Sequence, residues 1–427
     1  MSLHALLSAT CRRKRTTAVL AMAAIASLAA AGCSSSGPSS SAAAPPGGAS
    51  ATAAGTSSSS SSSASVSGAG LQQIINTALL ADEPASQLPA LMTQALSKVN
   101  LNLTPDQITT AYNCWKASSC TLGSGSLTLA EADGFGDNTW RQFSKMDVIL
   151  QAMQYPQIGK FIYTNAHGVL SQYQSDLRSL TAQGAKLIVA YNDFGPAAWP
   201  AFTAAQRAGA YVSTFVGPSD GAPTSAITTR VQPDICQAGK DMAQVAKQAI
   251  GGNGPVAYFT GTPGNPEDQG WQTCSTQAGI SAAFNADTNW TPTGAQTAAS
   301  ALIASGKQVK AILYSYSNPV PNIVKAYQSA GKQVPAIITW TTDNGTLCTD
   351  QKKPFPLYLT NALNWAARVS VTALVEKAGG QSVPSAVLYP MPFTKANPAG
   401  CDASAPADYP GTSALVPAAL TAKILGS

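Results

Sequence analysis

The sequence predicts an α/β protein of two Rossmann-like lobes with parallel sheets and a hinge, preceded by a small helical extension. Three observations carry this. From about residue 126, short β-rich runs alternate with amphipathic stretches. The same alternation starts afresh after Asp234. Before both, residues 71–113 show only helical periodicity. A chain of 427 residues is long enough for two packed domains.

The chain opens with an export signal. A basic run ends at Arg15, residues 16–32 are uncharged, and small residues precede Cys33. The segment Leu28-Ala29-Ala30-Ala31-Gly32-Cys33 resembles the lipobox of bacterial lipoproteins. This implies a signal peptide over residues 1–32, lipid on Cys33, and attachment to the outer face of the cytoplasmic membrane. Residues 33–70 are almost all Ser, Ala, Gly, Pro and Thr, too poor in apolar bulk to fold. They read as a disordered tether reaching about 30–35 Å.

Residues 71–125 form the helical extension. LQQIINTALLADE and LPALMTQALSKVN are two helical stretches, and Thr104-Pro105-Asp106-Gln107 starts a third. Of eight cysteines, Cys11 leaves with the signal and Cys33 takes lipid. The six others suit an exported, disulfide-bonded chain. Six cysteines allow 15 connectivities. Order along the chain and lobe membership favour Cys114 with Cys120, Cys236 with Cys274, and Cys348 with Cys401. None has CxxC spacing, which disfavours a zinc or redox site.

In the first lobe the β-rich runs are LTLAEA, KFIYTNA, KLIVAYN and YVSTFV, separated by helices from Asn138, to Gly184 and to Gly209. In the second, a helix from Asp234 leads to PVAYFTG, an extended step near Trp290, VKAILYSY and VPAIITW, again with helices between. Parallel strands with crossover helices place ligands outside the carboxyl ends of the strands, here in a cleft between lobes.

Several of these stretches together resemble the type I periplasmic binding proteins, specifically the ribose-binding-like sugar receptors of ABC importers. Asp137-Asn138-Thr139-Trp140 stands where that family has its first aromatic ligand loop. The segment from DLRSLTAQGAKLIVAYN through AYVSTF is similar to its second and third βα units. VQPDICQAGKDMAQVAKQAIGGNGPVAYFTGTPGN and IVKAYQSAGKQVPAIITW are similar to its second lobe. The resemblance covers about residues 126–390. It implies a first lobe of residues 126–232 plus about 362–390 and a second of 233–361 plus about 391–427.

The resemblance further implies a monomeric receptor without cofactor or catalytic residues, which closes over a small molecule, a sugar or glycoside, and delivers it to permease subunits. The ligand-binding residues it implies are Asp137, Trp140, Asp193 and Phe194 in the first lobe, and Gln269, Tyr316, Trp340 and Asn361 in the second. Here Gln269 replaces the usual Arg, Tyr316 the usual Asn, and Trp340 the usual Asp. Val216 and Gly217 replace an Asp-Arg pair. A pocket less charged than a ribose site follows, with two or three of Trp140, Trp199, Trp271, Trp340 and Trp365 facing it.

Other functions lack their parts. With 25 Lys+Arg against 20 Asp+Glu and 11% charged residues, the chain does not suit nucleic acid. Removing Arg12, Arg13, Lys14 and Arg15 leaves 21 basic residues. Gly217-Pro218-Ser219-Asp220-Gly221 fits a hydrolase elbow, but no helix pattern and no histidine follow it. His4 and His167 are the only histidines, too few for a metal cluster. Gly261–Pro266 has no Lys-Ser/Thr and cannot hold phosphate as a P-loop does. The alternative of the same fold is a tethered sensor that signals to a membrane kinase or another partner.

Overall fold

The structure is a computed structural model that describes residues 65–217 and 219–426. The signal peptide, Cys33 and the tether as far as residue 64 lie outside the described residues. Helix α1 (Gly68–Leu79) begins inside the segment expected to be tether. It is followed by α2 (Ala90–Ser97) and α3 (Pro105–Lys116). Thr104 caps α3 by accepting from the Gln107 N–H while the Gln107 side chain accepts from the Thr104 N–H, with Pro105 next in the chain. Ile75, Leu79, Met92 and Leu96 are fully buried against Val148 and Leu374. Each such side chain contributes about 1.5–3 kcal/mol, so the extension belongs to the first lobe's core. Strand β1 (Ser119–Thr121) then pairs antiparallel with a first-lobe strand, and Cys114–Cys120 ties it to α3.

The first lobe runs β2 (Leu127–Asp133), α4 (Thr139–Ala152), β3 (Ile158–Asn165), α5 (Leu170–Ala182), β4 (Leu187–Tyr191), α6 (Trp199–Arg207), β5 (Tyr211–Phe215) and β6 (Thr229–Pro233). The second runs α7 (Ile235–Ile250), β7 (Val256–Thr260), α8 (Pro266–Gln277), β8 (Ala282–Asp287), α9 (Pro292–Ala304), β9 (Ala311–Tyr314), α10 (Val320–Ser329), β10 (Ala336–Thr339), α11 (Asn344–Lys352) and β11 (Leu357–Leu359). The chain returns to the first lobe for α12 (Ala366–Ala378) and β12 (Ala386–Tyr389), adds β13 (Thr394–Lys395) to the second, and ends in α13 (Ala418–Leu425).

The first sheet has the order β1-β3-β2-β4-β5-β6-β12 and the second β13-β11-β10-β9-β7-β8. Only the edge pairs β1·β3 and β11·β13 are antiparallel. The interior strands β4 and β7 are almost continuously apolar, because helices cover both faces. The extended step expected near Trp290 lies earlier, at β8, and Asn289 and Trp290 instead form a left-handed turn with φ of 51° and 52°. Trp290 lays its ring against Gly261, where a Cβ would come within 1.9 Å of it. Only glycine fits there.

Three crossings join the lobes: Pro233 to α7, β11 through residues 360–365 to α12, and β12 to β13. Helix α12 is buried nearly all round, between the first sheet, α2 and α4. Its Arg368 donates to Asp147 of α4 at 2.6 Å and to the Leu415 carbonyl at 3.0 Å.

The tail departs from the expectation that residues 391–427 stay with the second lobe. Cys401 is bonded to Cys348 of α11, but Tyr409 packs on Phe143 of α4 at 5.7 Å between ring centroids. Ser413 accepts from the Ala362 N–H at 3.0 Å, and α13 packs on α3. The third disulfide, Cys236–Cys274, joins α7 to α8.

Candidate ligand-binding site

Loops at the carboxyl ends of the strands in both lobes enclose a cavity of about 100 Å³. The first lobe supplies Asn138, Thr139 and Trp140, and the second Tyr316, Ser317, Thr341 and Asp343. Ligand pockets usually measure about 300–1,000 Å³, so holding a ring-sized solute requires the lobes to part further. Each wall is placed by local capping. Asn138 caps α4 by accepting from the Arg141 N–H at 2.9 Å, and Asp343 caps α11 by accepting from the Thr346 N–H at 2.9 Å. Asp343 also accepts from the Ser317 hydroxyl, and burial pushes its carboxyl up to about 6 despite those bonds.

Trp140 donates its indole N–H to the hinge carbonyl of Ala362 at 2.6 Å. Its ring meets Tyr191 edge-on at 5.7 Å and stacks on Phe215 at 6.4 Å. Beside it, Arg141 bridges two carboxylates, Asp133 and Asp193, at 2.6 Å each. Its guanidinium carbon lies 3.1 Å from the Tyr191 ring centroid. Burial opposes the guanidinium charge, but the two aspartates outweigh it and hold Arg141 protonated. Burial also raises Asp133 to about 6, with Arg141 pulling it back.

The structure brings only two of the eight expected residues, Trp140 and Tyr316, to the cavity wall, with Asp193 beside it through Arg141. Tyr316 is half-buried, and burial, followed by Asp343 and Asp408, raises its phenol well above the usual range. Asp137 turns outward to His167 at 2.8 Å and Asn165 at 2.7 Å, and the His167 hydrogen bond lowers its carboxyl. Phe194 packs away from the cleft on Tyr173, 5.2 Å between centroids. Gln269 is exposed on α8, while Glu267, two residues earlier, is the side chain that feels Asp220 and Asp193 of the first lobe.

Trp340 is buried in the second-lobe core with its N–H toward the Met242 sulfur at 3.2 Å, and the next residue, Thr341, takes the cavity position. A strand end that alternates faces explains the shift by one. Asn361 is fully buried and spends its carbonyl on the Leu363 N–H and the Trp365 indole, both at 2.9 Å, so it braces the hinge. Trp271 and Trp365 are fully buried, and Trp199 packs on the outer first-lobe cluster. Of the five tryptophans expected near the cleft, Trp140 alone lines the cavity.

No charged pair stands at Val216 and Gly217, and Arg141 pairs with Asp133 and Asp193 behind the cavity wall, drawn from α4, β2 and the loop after β4. The signal was an arginine in a helix's first turn, one residue past the aromatic, where a cation is electrostatically disfavoured without acidic partners. Among the described residues no group of His, Cys, Asp or Glu is placed to hold a metal ion, and no helix is long and apolar enough to cross a membrane.

Two α/β lobes closing on a polar and aromatic cavity define a hinged solute-binding protein. A family model of the periplasmic binding protein domain matches residues 134–349, half of the 427-residue chain. The chain belongs to that family, whose members bind solutes and are not enzymes. Its fold is the type I periplasmic binding protein fold. An ABC transporter solute-binding protein from Bacillus halodurans with bound myo-inositol is similar at a TM-score of 0.56 and 15% identity, over 64% of this chain and 95% of that one. A glucose-galactose-binding protein from Geobacillus stearothermophilus has a TM-score of 0.56 and 16% identity, over 64% and 98%. The arabinose transporter's binding protein from Shewanella sp. ANA-3 reaches 0.57 at 15% identity, over 63% and 91%. No curated protein matches the chain in sequence.

Proposed function

We propose that this protein is a lipid-anchored extracytoplasmic receptor that captures a carbohydrate between its lobes and delivers it to an ABC importer. The observation that carries the reading is the cavity wall. Trp140 offers an aromatic face to the apolar face of a sugar ring, and Asn138, Thr139, Tyr316 and Ser317 offer amide and hydroxyl partners for its hydroxyls. The solved structures of similar fold support the solute class, since they hold myo-inositol, D-allose or arabinofuranose. Cys33 is the proposed anchor, and residues 33–64 the tether that keeps the lobes near the permease.

A thermal-shift screen of the mature chain against sugars, glycosides and polyols tests this, because a solute that binds only the folded state raises its melting temperature. A concentration-dependent rise with one sugar class, lost in Trp140→Ala, is the expected result. A well-folded protein that responds to no sugar, glycoside or polyol would overturn the carbohydrate assignment.

A further inference from the structure

The cavity is not walled by the two lobes alone. Asp408 and Pro410, from the C-terminal tail beyond the family match, complete its lining. The tail reaches this place by a chain of specific contacts. On the second lobe it is fixed by Cys348–Cys401 and by Asn344, whose amide donates to the carbonyls of Asp402, Ala405 and Pro406 at 2.8, 2.9 and 3.2 Å. The Gly345 N–H donates to the Ala407 carbonyl at 2.6 Å, and a Cβ on Gly345 would lie 3.0 Å from the Ala407 Cβ, closer than side chains ordinarily pack.

The very next residue changes lobes. Asp408 accepts from the hydroxyl of Thr139, the first residue of α4, and Tyr409 packs on Phe143 one turn further along. Pro410 is buried and Asp408 is exposed, so the acid sits at the cavity mouth with the proline beneath it. The strap therefore spans the cleft from α11 to α4, and at the cavity rim its Asp408 side chain holds Thr139. For the cavity to admit a ring-sized solute, the lobes must part, and that contact lies across the gap. Asp408 is acceptor-only when ionised, and the other carboxylate in the wall, Asp343, already spends its oxygens on Ser317 and Thr346.

We propose that residues 401–410 form a disulfide-anchored movable wall of the binding cavity, in which Asp408 releases Thr139 and accepts hydroxyl hydrogen bonds from a neutral polyhydroxylated solute. The proposal rests on the solute-binding reading above and adds a residue that selects the solute. Asp408 is the acceptor freed when Thr139 is released, the tail carries it, and Cys348–Cys401 keeps it at the mouth while the lobes move.

The test uses the mature chain and four probes: myo-inositol, D-glucose, D-allose and L-arabinose. Calorimetry and stopped-flow tryptophan fluorescence compare the native protein with Asp408→Asn and with Cys348→Ser/Cys401→Ser. For any probe that binds the native protein, Asp408→Asn is expected to weaken binding about tenfold or more. The double serine variant is expected to speed both association and dissociation. Unchanged affinity and rates in both variants would overturn the proposal while leaving the sugar reading intact. If no probe binds the native protein, the sugar reading fails for these probes and the wall is judged by hydrogen exchange without solute. A movable wall predicts at least tenfold faster exchange at residues 139–143 in the double serine variant, with the first sheet's interior strands unchanged. Equal exchange at 139–143 would overturn it, and global acceleration would show an unfolded variant, leaving Asp408→Asn, measured the same way, to decide by the same criterion.

Discussion

Arg141 stacks 3.1 Å above the ring centroid of Tyr191 while its two amino groups each reach a different aspartate, Asp133 and Asp193. One planar, permanently charged group thereby joins a strand end, the next-but-one loop and the ring of Tyr191. Lysine cannot do this, because a point charge on a flexible stem neither stacks nor forks.

The first prediction follows from that geometry. Arg141→Lys keeps a positive charge near Asp133 but releases Asp193 and Tyr191, so sugar affinity should fall about tenfold, worth about 1.4 kcal/mol, while the protein stays folded. Calorimetry with a sugar that binds the native chain reads the change. A lower melting temperature with unaltered affinity would make Arg141 a scaffold residue only.

A second ion pair is structural. Arg368 and Asp147 meet at 2.6 Å with neither side chain exposed, and the same guanidinium ties the tail at Leu415. Removing one partner leaves the other charge buried and alone, so Arg368→Met should cost about 3–5 kcal/mol in urea denaturation. Arg368→Met with Asp147→Leu should recover part of that loss, since replacing a whole buried pair with apolar groups is far cheaper than halving it. A double variant no better than the single one would contradict this.

How much of this was legible beforehand varies with the physical signal. The alternation of apolar strands and amphipathic helices recurs along the chain, so both lobes and their order could be read, and Trp140 came from the resemblance of its loop to the family's aromatic loop. Individual cleft residues were harder, because a one-residue offset flips a side chain between core and cavity, as Trp340 and Thr341 show. Arg141 was hidden because its partners, Asp133 and Asp193, are 60 residues apart from each other and carry no shared spacing. Of the tail's course only the Cys348–Cys401 anchor could be read, since residues 396–417 have neither helical nor strand periodicity and are otherwise placed by carbonyls bound to Asn344.

Glu131 gives a third prediction. It is wholly buried in β2 and neither carboxylate oxygen has a hydrogen-bond partner. Burial, with Asp133 adding to it, raises its carboxyl well above the usual 4.5, against the pull of Lys145 and Arg141. The folded state therefore holds the proton more tightly than the unfolded chain does. That stabilising difference is full below the unfolded value and is lost as pH rises toward the raised value, at about 1.4 kcal/mol per pH unit for one proton. Glu131→Gln should flatten the decline of stability with pH, read as denaturation midpoints between pH 5 and 9. Parallel curves for the two proteins would show that Glu131 does not carry the proton.

Glu267 is the corresponding group at the lobe interface, and its effect should appear in closure as well as in stability. It opens α8 in the second lobe, and burial, then Asp268, then Asp220 and Asp193, raises its carboxyl from 4.5 to about 8. Two of those three acids stand on the first lobe, so behind burial and Asp268 a part of the repulsion that keeps Glu267 protonated exists only while the lobes are together. Below pH 8 the protonated carboxyl sits beside Asp220 and Asp193 without repelling them; above it, the ionised group pushes the lobes apart. The sign follows from the raised value: the stabilising proton is fully retained at low pH and is lost as pH rises through 8. Small-angle scattering of the native chain should therefore show a larger radius of gyration at pH 9 than at pH 6.5, and Glu267→Gln should remove most of the difference. A radius independent of pH in the native protein, or an equal expansion in Glu267→Gln, would place the titrating group elsewhere.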